Sequence, residues 1–282
     1  MTGARQLLAV LAACTVSVFA IALAQEAPAP ADAEAAQVQD AQVQEQVAET
    51  ETATGPEAED APAAKADNDY VDLRRARPIT GNVAAGQAKA EVCAACHGPQ
   101  GISIAPAFPN LAGQHADFLY WQLVEFKRSP DSPMSPLVAD LSDEDMRDLA
   151  VYYAGLAPTP APADPDAEAE PADPALLQRG EQLYLTGDPA KGIPPCQGCH
   201  GVDARGHADA RRADSSGHTP YAAWPALRGQ QAMYLQTKLG EYRDGAMDDS
   251  TTDFIMTGIG HRLDDDSIQA LAAWLSSLPP AH

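Results

Sequence analysis

Apolar positions are distributed along this chain in three distinct ways. An uncharged, mainly apolar run from Leu7 to Ala24 comes first, then a stretch to about Asp69 without an aromatic residue, then two helix-patterned regions. In the first region, Phe118, Leu119, Trp121, Leu123 and Phe126 signal one amphipathic helix, and Met146, Leu149, Ala150 and Tyr153 another. Leu141-Ser142-Asp143-Glu144-Asp145 marks the start of the latter, with Ser142 as N-cap and Asp145 at the capping-box position. Residues Ala85 to Ala95 are helix-compatible, and a Pro-rich loop runs through Ala105 to Leu111. In the second region Ile268, Leu271, Ala272 and Leu275 repeat the helical stripe. The expected organisation is all-α. Domain one covers 80–156, a Pro/Ala/acid linker 157–175, and domain two 176–282.

The segments ahead of these domains read as address and tail. Arg5 followed by the apolar run and by Ala22-Leu23-Ala24 predicts an export signal over 1–24, and a run of this length also suffices for a retained anchor. Leu11-Ala12-Ala13-Cys14 resembles a lipidation box as well. Residues 25–79 read as a disordered acidic segment, because they offer too little apolar surface to offset the entropy of ordering. Within them Arg74, Arg75 and Arg77 form a small basic patch, read as a solvated lead-in with docking as the sharper alternative.

Charge adds less than its total suggests. The formal net charge is −22, but 25–69 and 157–175 together account for −16 of it. The helical regions are only mildly acidic, and nothing provides the basic face that a nucleic-acid partner would require.

The candidate chemistry is concentrated in Cys93-Ala94-Ala95-Cys96-His97 and Cys196-Gln197-Gly198-Cys199-His200. Residues at i, i+3 and i+4 share one helix face, so two thiols can meet the two vinyl groups of a porphyrin while the His points at its iron. Two copies, each followed by Gly, predict two covalently attached haem c groups; the competing arrangement is one four-thiolate zinc site. Each haem would also supply apolar mass to a domain too small to build a full core from side chains.

An internal repeat selects the remaining ligands. PNLAGQ from Pro109 corresponds to PALRGQ from Pro225, and the helix from Leu141 to that from Leu263. Seven residues before each of those leucines stand Met134 and Met256. A thioether opposite His97 or His200 would complete six-coordinate iron and suit a high-potential carrier. Met247 competes with Met256 but has no counterpart in domain one, while Met146 and Met233 read as core filler. His115, His261 and His282 read as surface residues, and the insertion around His207 and His218, with Arg205, Arg211 and Arg212, as a solvated loop, with docking of an acidic partner as the sharper alternative.

The motifs VCAACHG, FPNLAGQ, LSDEDM and AVYYAGL, then CQGCHG, WPALRGQ, FIMTGIGHRL and ALAAWLSSL, resemble the cytochrome c4 family of di-haem class I cytochromes c over about residues 81–281. The resemblance implies two class I cytochrome c domains related by a pseudo-twofold axis, with haem propionates meeting near the interface. It also implies that the carbonyls of Pro109 and Pro225 accept the proximal imidazole N–H. The acidic tail, the long linker and the short Phe126–Met134 segment depart from the family pattern. The function expected is periplasmic electron transfer, from a membrane quinol-oxidising complex or a dehydrogenase to a haem-copper terminal oxidase. The alternatives are a haem subunit of a dehydrogenase complex, with the N-terminal segment as a membrane tether, and a di-haem redox enzyme.

Overall fold

Helix α1 (Val83–Lys89) starts where Asn82 caps it, its side chain accepting from the backbone N–H groups of Ala84 and Ala85. The structure is a computed structural model that describes residues 70–160 and 172–280. The leader, the acidic segment to residue 69, the linker over 161–171 and the last two residues, including His282, lie outside them. The first domain continues with α2 (Glu91–His97), α3 (Ala116–Arg128), α4 (Ser135–Val138) and α5 (Asp143–Ala154). The second comprises α6 (Pro174–Thr186), α7 (Gln197–His200), α8 (Ala232–Arg243), α9 (Thr251–Gly260) and α10 (Asp265–Ser277). Among the described residues extended pairing is limited to isolated bridges, Val71 with Ser250 and Asp188 with Ile193. The fold is all-α, as expected.

Each domain is built on a crossing of its first and last long helices. In one, α5 packs on α1 and α3; in the other, α10 packs on α6 and α8. Both crossings pivot on a glycine: a Cβ on Gly86 would lie 2.1 Å from the Asp148 carbonyl oxygen, and one on Gly180 2.1 Å from that of Ala270. Backbone therefore meets backbone. Around these pivots Leu149, Tyr120 and Tyr153 fill one core, and Leu183, Tyr184, Leu271 and Leu275 the other. The capping box at Ser142 and Asp145 forms in full.

Several expectations change. The single helix over 85–95 divides at Ala90, whose N–H turns back to Gln87 and whose carbonyl receives the Tyr153 hydroxyl, so α2 starts as a separate helix at Glu91. Met146 is buried, but Met233 is half exposed, because α8 presents Leu235 and Leu239 to the core and Met233 projects from another side. The second domain's first helix opens at Pro174, capped by Asp173.

The largest correction concerns the end of the segment read as disordered through residue 79. Residues 70–79 form a strap on the second domain: Val71 N–H donates to Asp249 O, Thr251 N–H returns to Val71 O, and Leu73 is 2% exposed. Leu73 N–H also donates to Thr251 Oγ1. The insertion read as a solvated loop packs as well. Thr219 N–H donates to the strap's Ala76 O at 2.8 Å, and Ala210, Thr219, Ala222 and Ala223 are buried. Apolar Leu73 and this run of alanines supply what the charged neighbours conceal.

The described residues of the two domains lie within one compact unit and are joined by reciprocal hydrogen bonds. Gln114 donates to Ala226 O and accepts from Ala226 N–H, each at 2.9 Å; Gln230 does the same with Asn110 at 3.0 and 2.8 Å. Both glutamines are buried, and each side-chain amide satisfies one backbone N–H and one C=O of the opposite domain.

A second interdomain contact is ionisable. Glu125 of α3 is buried beside Asp253 of α9, with the Ser250 hydroxyl as a hydrogen-bond partner. Burial, and then the nearby Asp253 and Asp249 carboxylates, push the Glu125 carboxyl up to about 8. The folded-state value exceeds the unfolded one, so this site's contribution is complete in acid and declines as pH rises toward 8.

Thermal unfolding monitored by far-UV circular dichroism tests both the pivot and the buried carboxyl. Gly180→Ala should cost about 3 kcal/mol, because two backbones in contact cannot part by a methyl group without repacking; a neutral result would remove the pivot. Glu125→Gln should raise Tm by about 5 °C at pH 7 and by nothing below pH ~4; a variant less stable than its parent at pH 7 would mean the carboxylate is held by a cation rather than a proton.

Candidate functional site

Helix α2 carries Cys93, Cys96 and His97 through one turn and ends at Gly98, whose φ of 78° reverses the chain. A Cβ there would lie 1.9 Å from Ile102 O. In the second domain Cys196 precedes α7, which carries Cys199 and His200 and ends at Gly201, with φ of 79° and a virtual Cβ 2.1 Å from Gly206 O. Only glycine permits both the turn and the close approach. The Ser103 hydroxyl, fully buried, donates to Cys96 O, and the Tyr184 hydroxyl, buried in the other core, donates to Gly201 O.

The imidazoles are held in one tautomer. His97 Nδ1 lies 2.9 Å from Pro109 O, and His200 Nδ1 lies 3.0 Å from Pro225 O. A carbonyl only accepts, so Nδ1 carries the hydrogen and Nε2 keeps its lone pair for a metal. Burial lowers both imidazole pKa values, with the proline carbonyls pulling the other way, which favours neutral imidazoles at pH 7.

The thiols fit thioether attachment better than zinc or dithiol chemistry. Cys93, Cys96, Cys196 and Cys199 are unpaired. Burial raises the pKa of Cys93 and Cys199, and pushes Cys196 up to about 11, whereas reactive or zinc-binding cysteines are thiolates. Among the described residues no three His, Cys, Asp or Glu side chains converge to hold a metal, so the two CxxC pairs do not form one tetrahedral site. Apolar surface lies open nearby. The Phe108 ring stands edge-on to His97 at 6.1 Å, and a cavity of about 550 Å³ is lined by Pro194, leading into Cys196, and by Phe254, Ile255, Thr257 and Ile259, on either side of Met256.

The two methionines selected by the repeat occupy different local structures. Met134 is the half-buried N-cap of α4, its N–H donating to Ser132 Oγ, whereas Met256 lies half-buried inside the ten-residue α9. Met247 stands in the turn before α9, its carbonyl accepting from Thr257 Oγ1. His261 is exposed, with Nδ1 at the Arg243 carbonyl, whereas His115 is drawn into the domain interface, contrary to the surface role expected for it. The His207 ring lies tilted over Tyr221 at 4.2 Å and edge-on to Trp224 at 5.5 Å, so it too is more than a loop residue. Gln114 and Gln230 were not singled out from sequence, although the Gly-Gln pair ending each repeat was their signal.

Comparison with known proteins agrees with this geometry. The family model described as "Cytochrome c" matches residues 177–279, and that described as "Cytochrome C oxidase, cbb3-type, subunit III" matches 82–152. Cytochrome c4 of Thiocapsa roseopersicina is 39% identical over 205 residues, covering 72% of this chain and 96% of that protein. The thiosulfate dehydrogenase electron acceptor of Thiomonas intermedia is 33% identical over 199 residues, or 70% and 82% of the two chains. Among solved structures, reduced recombinant cytochrome c4 from Pseudomonas stutzeri superposes with a TM-score of 0.57 at 33% identity, covering 71% of this chain and all of that one. Two haem c groups, attached through Cys93 and Cys96 and through Cys196 and Cys199, supply one-electron redox chemistry. Paired thiols, tautomer-locked imidazoles and a doubled helical fold thus converge with these likenesses on one assignment: the chain belongs to the cytochrome c4 family of di-haem electron carriers.

Proposed function

We propose that this carrier works in the periplasm, taking electrons singly from a membrane quinol-oxidising complex or a dehydrogenase and delivering them to a haem-copper terminal oxidase. His97 with Met134, and His200 with Met256, are the axial pairs in this reading. The observation that carries it is the fixed Nδ1–H to proline carbonyl bond in both domains, which commits each Nε2 to one direction. A sulfur ligand opposite leaves the iron no vacancy for a substrate and favours the reduced state, as a carrier at the high-potential end of a chain requires. The run Leu7 to Ala24 serves as export signal or tether.

A second reading of the donor has a specific observation behind it. A relative named as a thiosulfate dehydrogenase electron acceptor aligns with 70% of this chain, which favours a periplasmic dehydrogenase over a quinol-oxidising complex as electron source. Stopped-flow reduction of the holoprotein by each type of donor separates them.

Ferric spectra test the ligands. The weak far-red band of Met-ligated iron should fall by about half in Met134→Ala or in Met256→Ala and vanish in the double variant. A band at full strength in the double variant, or a high-spin ferric haem in the parent, would overturn the closed-iron reading.

A further inference from the structure

His115 is a titratable side chain of the first domain set against the haem-attachment loop of the second. Its ring crosses the interface at the entrance to α3. Nε2 lies 2.9 Å from Arg205 O and therefore carries the hydrogen. Its Cε1 lies 2.0 Å from where a Cβ on Gly206 would stand, and Gly206 N–H donates to His200 O at 2.8 Å. Nδ1 is buried facing the Trp224 backbone, one residue before the proline that holds His200, without a hydrogen bond formed. The ring thus lies against the two backbone segments that hold His200, Gly206 at its main-chain carbonyl and the Trp224–Pro225 segment at its imidazole.

The matching position in the other direction is Gln231, whose Nε2 donates to Ser103 O at 2.8 Å beside the first attachment loop. Ser103 in turn holds Cys96 O. The interface is reciprocal in shape but not in charge. One haem loop is braced by an amide that never ionises, the other by an imidazole.

We propose that His115 is a positioning residue that distinguishes the two redox centres, setting the midpoint potential of the second haem against that of the first and making it depend on pH. The proposal rests on His200 as the axial ligand of that haem.

The surroundings fix the sign. The groups facing His115 are Asp117 on its own helix, Arg211 of the insertion, Arg205, whose carbonyl it binds, His207 beyond Trp224, and His200 itself. Burial is the largest influence and lowers the His115 pKa; Arg211 acts in the same direction, while the two backbone carbonyls and Asp117 oppose. The ring is neutral at pH 7 and gains its charge on acidification. Positive charge near His200 disfavours ferric iron, so the second potential rises as pH falls. Reciprocally, oxidation of the second haem weakens proton binding at His115.

The test is a redox titration of the intact holoprotein between pH 5 and 8, following each haem through its hyperfine-shifted methyl resonances. In the parent the second haem's potential should climb on acidification relative to the first. His115→Gln copies the partner position, preserves the packing and should abolish that relative climb; Gln231→His should confer one on the first haem. A step that survives in His115→Gln belongs to Asp117 or another group and overturns the proposal, as does a step equal in both haems. Failure of His200 ligation is distinct: it would appear in the parent as a non-imidazole ferric spectrum before any variant is made.

Discussion

The bond from a histidine Nδ1–H to a proline carbonyl, made by His97 with Pro109 and by His200 with Pro225, organises more than the imidazole it holds. The residue after each proline, Asn110 or Ala226, gives its backbone to a buried glutamine of the opposite domain. That glutamine lies five residues beyond the other domain's proline. Each loop therefore fixes its own domain's histidine at one end and the neighbouring domain at the other. A shift in one ring's support is a shift in domain docking, because backbone held at both ends by buried hydrogen bonds has little freedom to absorb it.

On this reciprocal frame the two halves have diverged. The second domain carries the insertion that packs under the strap at Ala76, and it replaces the four-residue α4 with the ten-residue α9. The strap's bonds to Asp249 and Thr251 lie at the start of α9, close to the buried pair of Glu125 and Asp253. Burying like charges from two domains is costly unless a proton is shared between them. The junction is consequently a more demanding environment than the mildly acidic composition of the helical regions suggests.

Much of the site was legible because its chemistry depends on local spacing. The CxxCH pairs, the glycine after each histidine and the Ser142–Asp145 cap are set within one or two helical turns, where geometry follows directly from the residue order. Burial across the chain was less legible. Arg74, Arg75 and Arg77 mask the apolar Leu73 between Val71 and Ala76, and the insertion's alanines bury well without forming a stripe. Met233 belonged to a helix whose inner face could not be chosen from its weak pattern.

The residue order alone determined two haem attachment sites, a doubled helical domain and the register that pairs Met134 with Met256, because these follow from short-range periodicity and a repeat. Tertiary structure decided which atoms satisfy which across the domain boundary: Gln114 and Gln230 on opposite backbones, Glu125 beside Asp253, the strap on α9, and His115 against Arg205 and Gly206. The reason is separation along the chain. Partners 90 to 178 residues apart leave no periodic trace, and a polar side chain shows its role only when folding removes water and leaves one acceptor within reach.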